Sequence, residues 1–193
     1  EFRRVLFRST VHPETAELSK GIADQFATIA KERVSEEFMK LATKGKQPGL
    51  ALNYLKDTGW SKNFPELHVL HDIPQDSGHH PEGNVAAHTA HSMDAAARIA
   101  EREGLEGDER AILVLGAMAH DLGKATHTQV DGDRITSHGH EQAGEAPTRN
   151  LLGNIGIKPD ITDRVVPLVT SHMQHLNFSE DSKPRSEEHT SEL

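Results

Sequence analysis

The chain has 193 residues, a formal net charge of −9, 14 histidines and no cysteine. The lack of cysteine excludes a disulfide framework and a thiolate metal site. The acidic balance gives no general attraction for phosphate backbones, so most of any grip on RNA is expected to lie outside this segment. No apolar run is long enough to cross a bilayer and no signal peptide is visible, which points to a soluble, cytoplasmic segment.

Residues 1–9 (EFRRVLFRS) and 185–193 (RSEEHTSEL) form a pair. One DNA strand encodes the first, and its reverse complement encodes the second. The string resembles a sequencing adapter translated in both directions, so both ends are set aside from the fold. Residues 10–184 are then expected to be an internal piece of a longer protein.

Between these ends the apolar spacing is helical. Leu18, Ile22, Phe26 and Ile29 form one stripe after Pro13, and Val34, Phe38 and Leu41 form a second that stops before Gly45. A short helix is expected around residues 50–56, ending near Gly59. Pro65, Pro74, Pro81, Gly78 and Gly83 make 60–83 read as a loop-rich connector. Helices are predicted at 84–103 and 108–121, followed by a hairpin turn at Asp131–Gly132–Asp133. Two more are predicted at 140–152 and 161–175, kinked or shortened by Pro147 and Pro167. The fold class is therefore all-α. A helical neck over 10–75 precedes a metal-binding domain over 76–184.

Ten of the histidines lie between His68 and His140, and imidazole is the commonest metal ligand. The strongest motif is HDLGK, residues 120–124. It closes a helix that is apolar on nearly every side (Ile112, Leu113, Val114, Leu115, Met118). A buried helix ending in adjacent His and Asp must satisfy both groups, and a divalent cation does so directly. Gly123 is expected to allow a tight chain reversal. Lys124 would sit beside the site, where its ammonium could neutralise a phosphate oxygen. Upstream, the inward stripe is expected to be Val85, His88, Ser92, Ala95, Ala96 and Ile99, with His91 at its edge. His88 would complete a three-ligand face with His120 and Asp121. His140, opening HExxG, and His172, following Ile161, Val165 and Leu168, would suit a second ion bridged through Asp121. His138 and His175 compete for these roles. Alternatively, these histidines bind substrate phosphate or simply pack.

The His…His-Asp pattern followed by LGK resembles the HD superfamily of metal-dependent phosphohydrolases. That resemblance implies metal ligation by His88, His120 and Asp121, and usually by a later Asp. Asp160, Asp163 and Asp181 are available, but the counterpart is expected beyond residue 184. A wider set of motifs is similar to the central and C-terminal parts of bacterial CCA-adding tRNA nucleotidyltransferases and related poly(A) polymerases. These are ERVSEEFMKL (32–41), LNYLKDTGW (52–60), FPEL (64–67), PQ (74–75), HHPEGNVAAHT (79–89), HDLGK, HGHEQAG (138–144) and SHM (171–173).

The resemblance implies a phosphatase or 2′,3′-cyclic phosphodiesterase acting near tRNA 3′ ends, within a protein whose nucleotidyltransferase head would precede residue 10. Asp121, Lys124 and His140 would be its catalytic residues. One or two divalent ions (Ni, Mn, Mg, Fe or Co) would be its cofactor, since the nitrogen and oxygen donors do not choose among them. Two other readings remain: a stand-alone nucleotide phosphohydrolase, and a catalytically silent spacer that helps position tRNA.

Overall fold

A computed structural model describes residues 13–174 apart from Ser77 and His79. The terminal nonamers, His175 and Asp181 fall outside the described residues.

Helix α1 (Pro13–Lys20) leads through a 3-10 turn (Ala23–Thr28) to α2 (Lys31–Lys44) and α3 (Leu50–Asp57). The first expected stripe is only half realised. The chain turns between α1 and the 3-10 segment, so Leu18 is 63% exposed and Ile22 49% exposed, while Phe26 and Ile29 pack against the core. The second stripe holds: Phe38 and Leu41 are buried and Val34 is partly buried. Gly59 adopts φ 78°, as a left-handed turn after α3 requires.

The expected connector over 60–83 is largely helical instead. A 3-10 turn (Trp60–Asn63), α4 (Pro65–His68) and a second 3-10 turn (Val69–Asp72) follow one another. Pro65 occupies the first helical turn, where its missing N–H costs nothing, so it starts a helix rather than breaking one. Trp60, Phe64, Leu67 and Leu70 are buried, and Phe64 meets Phe26 and Phe38 edge-on at 5.2 and 5.3 Å.

Of this segment, the described residues of 73–84 form a loop, and it is stapled. Pro74 bridges Asn84, Gln75 N donates to Gly83 O, and Val85 N donates to Ile73 O. Asn84 then caps α5 (Val85–Arg102), its Oδ1 accepting from Ala87 N at 2.9 Å.

Helix α6 (Gly107–Ala119) runs through the centre, packed by α2, α5 and α10. This surrounds it with apolar neighbours and explains its lack of a polar face. Gly116 lets α10 approach: a Cβ there would stand 3.0 Å from Leu168. A single turn, α7 (Lys124–His127), leads to the hairpin of β1 (Gln129–Asp131) and β2 (Arg134–Thr136), which turns at Gly132 with Asp131 paired to Arg134.

The predicted 140–152 helix is split at Gly144 into α8 (His140–Ala143) and α9 (Glu145–Ile155). Pro147 lies in the first turn of α9, where it disturbs nothing. Helix α10 (Pro159–Ser171) continues through Pro167 and ends before the predicted limit. One apolar cluster takes in buried residues from Ala23 to Val169. Among the described residues no helix is long and apolar enough to cross a membrane.

Candidate metal centre

Five helix ends deliver side chains to one point. His88 lies on the first turn of α5, His120 caps the C-terminus of α6, and Asp121 follows it in the turn. Lys124 opens α7, His140 opens α8, and His172 caps the C-terminus of α10. Two of these ends are helix C-termini, whose unpaired carbonyls favour positive charge nearby.

The inward stripe of α5 is shifted by one residue from the expected one. Val85, Ala86, Thr89, Ala90, Met93, Ala96, Ala97 and Ala100 are buried, whereas Ile99 is 40% exposed and Ser92 and Ala95 are intermediate. His88 thus lies on the rim of the core and not within it, where a ligand from solvent can reach it. His91 and His138 are exposed. Asp160 and Asp163 are also exposed, and Asp163 is spent on Arg149 Nη1 at 2.8 Å. These residues are not part of the centre.

Asp121 is the hub, 2% exposed. Its Oδ2 faces His120 Nε2 at 3.2 Å and His88 Nε2 at 3.8 Å; its Oδ1 faces His140 Nε2 at 3.1 Å and His172 Nε2 at 3.8 Å. Among the described residues the possible ligand atoms fall into three groups: His88–His120–Asp121 and Asp121–His140–His172, joined by the shared carboxylate, and His80–Glu82–His88 behind His88.

The hydrogen bonds decide which ring nitrogens face inward. Nδ1 of His120, His140 and His172 donates to the carbonyls of Ala117, Ser137 and Val169 at 2.8, 2.6 and 2.6 Å. Nδ1 of His88 donates to Glu82 Oε1 at 2.6 Å. A carbonyl or carboxylate can only accept, so in the neutral rings Nε2 is left as a lone pair. Four such lone pairs therefore surround a carboxylate, with His140 Nε2 and His172 Nε2 only 3.1 Å apart. The Asp121 Oδ2 atom is buried, and none of its contacts has hydrogen-bond geometry. Apart from the Lys124 ammonium, the groups that face this carboxylate are acceptors, and divalent cations match such a nitrogen and oxygen set.

Charge shifts agree with the geometry. Burial pushes the Asp121 carboxyl upward, but the His120 and His140 rings, which donate from Nε2 to it when protonated, and the Lys124 ammonium outweigh it, holding the group well below the usual carboxylate range. Burial lowers the values of His88 and His172. Since native His88 and His172 resist protonation, the unfolded chain binds more protons as pH falls. The stability they contribute is complete above 6.5 and is lost as pH drops through their lowered folded values. Denaturant unfolding of the metal-free protein should accordingly give a lower stability at about pH 5 than at about pH 7.5. A His88→Gln, His172→Gln double variant should flatten that slope.

Two features differ from expectation. Gly123 does not reverse the chain; its backbone is helical, and a Cβ there would sit 2.0 Å from His140 O. Its smallness lets α8 approach Asp121. Lys124 is buried, with Nζ on Asp121 Oδ2 at 2.8 Å and Gln75 Oε1 at 2.7 Å. Gln75, Glu82 and His80 are the neighbours that sequence reasoning did not single out. Their only signal was membership of the PQ and HHPEGN motifs, because the stapled 73–84 loop that brings them in has no periodicity to read.

The HD domain family profile matches residues 85–191. The profile described as the probable RNA and SrmB-binding site of polymerase A matches residues 10–70. Similar proteins carry the description multifunctional CCA protein. That of Actinobacillus pleuropneumoniae serotype 5b (strain L20) is 29% identical over 180 residues, 91% of this chain and 42% of the relative. That of Xanthomonas axonopodis pv. citri (strain 306) is 30% identical over 170 residues, 86% and 39% of the two chains. That of Hahella chejuensis (strain KCTC 2396) is 32% identical over 138 residues, 70% and 30%. The chain thus spans at most 42% of the length of these relatives.

Proposed function

Because this chain belongs to the HD domain family, we propose that its Asp121 cluster is a two-ion phosphohydrolase centre, acting on phosphomonoesters or 2′,3′-cyclic phosphates such as those at tRNA 3′ ends. The observation that carries this is the convergence of four Nε2 lone pairs on one buried carboxylate, two against each oxygen. His88 and His120 would hold one divalent ion, His140 and His172 the other, and Asp121 would bridge them. Nickel, manganese, magnesium, iron and cobalt all suit this donor set. Ions bound here supply an acidified water as nucleophile and neutralise phosphoryl charge.

The chain's own side chains do the rest. Asp121 keeps the two positions at a fixed separation. Lys124 Nζ donates to Gln75 Oε1 and is ion-paired with Asp121 Oδ2, which leaves it a proton that would donate to a phosphoryl oxygen as its charge grows. His140, its Nδ1 held by Ser137 O, keeps its ring fixed while Nε2 serves the centre. Residues 10–75 would be the neck that meets RNA, and 76–184 the hydrolytic domain. The longer protein, with a cytoplasmic location, would add CCA and bring the tRNA end to this site.

The deciding experiment uses the full chain, stripped with chelator and reloaded with each metal. Hydrolysis of p-nitrophenyl phosphate and of a tRNA ending in 2′,3′-cyclic phosphate should appear on reloading and vanish on stripping. Ion binding without hydrolysis of either would replace this reading with a silent spacer. Hydrolysis confined to free nucleotides would replace it with a nucleotide phosphohydrolase.

A further inference from the structure

Three of the four histidines at the centre are held by the main chain. His88 is the exception: it depends on a side chain, Glu82, six residues upstream and outside its helix. We propose that Glu82 is a positioning residue that aims His88 at Asp121 and so governs the affinity of the His88–His120 position alone. This rests on the two-ion reading above.

The contact is short, 2.6 Å from His88 Nδ1 to Glu82 Oε1. The same oxygen also receives His80 Nδ1 at 3.2 Å, and the His80 ring meets the His88 ring edge-on at 4.6 Å. The Glu82 side chain is 14% exposed, so water competes weakly for it. The backbone holds the carboxylate there. Gly83 takes φ 105° and donates N–H to His80 O at 3.1 Å, and the next residue, Asn84, is pinned by its bond to His71 O.

With Nδ1–H committed to Glu82, the His88 Nε2 lone pair is left facing Asp121 Oδ2 at 3.8 Å, with the Ser92 hydroxyl beside it at a long 3.5 Å, too weak a contact to fix the ring by itself. Without that bond the ring can rotate or exchange tautomers, and Nε2 is no longer dependable as a ligand. Nothing comparable threatens the other pair, because Ser137 O and Val169 O orient His140 and His172. Glu141, near His140 Nδ1 at 3.6 Å, is too far to replace the carbonyl bond. Lys124 faces Asp121 Oδ2 and opposes added negative charge on that side. The principal role of Glu82 is therefore orientation.

Mn²⁺ titrated by calorimetry into the chelator-stripped full chain tests this. The wild type should take up two ions. Glu82→Ala should weaken one step about 10–100-fold and leave the other within about threefold. Glu82→Gln should lose less, since its amide oxygen still accepts the Nδ1 proton. If the alanine variant folds poorly, the glutamine variant still reports on the selectivity between the two steps. The proposal is overturned if both steps weaken alike or neither changes. A third ion that disappears in Glu82→Ala also overturns it, since Glu82 would then be a ligand with His80. No uptake by the wild type would defeat the two-ion reading itself. Two ions with an indifferent Glu82 would defeat only the assignment made here.

Discussion

Replacing Asp121 by alanine should abolish uptake of both ions at once and reduce hydrolysis to the level of the metal-stripped protein. The carboxylate is the one group shared by the two ligand sets, with a different pair of imidazoles against each oxygen. The same change should destabilise the metal-free fold. Lys124, 9% exposed, would lose the one carboxylate with which it pairs among the described residues. Removing one partner of such a buried pair costs about 3–5 kcal/mol. Denaturant unfolding in chelator reads the stability effect, and metal titration reads the binding effect. Asp121→Asn, which keeps an acceptor for Lys124, should recover part of the stability and none of the bridging. Full uptake of two ions by either variant would show that the carboxylate is not the bridge.

Metal should raise the melting temperature in two separable increments. An ion that binds only the native state, at a hundredfold excess over its Kd, stabilises by about 2.7 kcal/mol, which for a chain of this size is about 5–10 °C. Two positions should double the shift. His140→Ala should remove one increment and leave the His88–His120 ion. His120→Ala should remove the other. His140 has the stronger claim to a clean result, because its loss leaves the Ala117 carbonyl bond to His120 and the Glu82 bond to His88 untouched. Scanning calorimetry with and without Mn²⁺ measures this. A wild-type melting temperature indifferent to metal would sink the centre and support a spacer that keeps its histidines for packing.

The order in which these parts could be read follows the range of the forces involved. Helix α6, the 34–41 stripe and the 131–133 turn were visible because local periodicity and turn chemistry determine them. The His-Asp pair was visible because adjacent polar residues closing an all-apolar helix need a partner wherever that helix lies. Other features were not local. The segment 60–72 reads as punctuation, yet Trp60, Phe64, Leu67 and Leu70 make it core, since the neighbouring aromatic side chains give its short turns something to pack on. The burial register of α5 moved by one residue, from Ser92 to Met93, because the packing of α3, the Val69–Asp72 turn and α6 against it sets which face is covered.

The sequence alone determined that this chain is helical, rich in groups able to ligate metal, and has His120–Asp121 closing an apolar helix, for those properties follow from side-chain chemistry and from the pitch of a helix. Only the tertiary structure decided that His88, His140 and His172 turn Nε2 toward that carboxylate, that Gly123 is a point of close approach, and that Glu82 and Gln75 stand behind the centre. Each of those depends on distances between segments far apart in the chain. Such distances result from packing and carry no local pattern from which to read them.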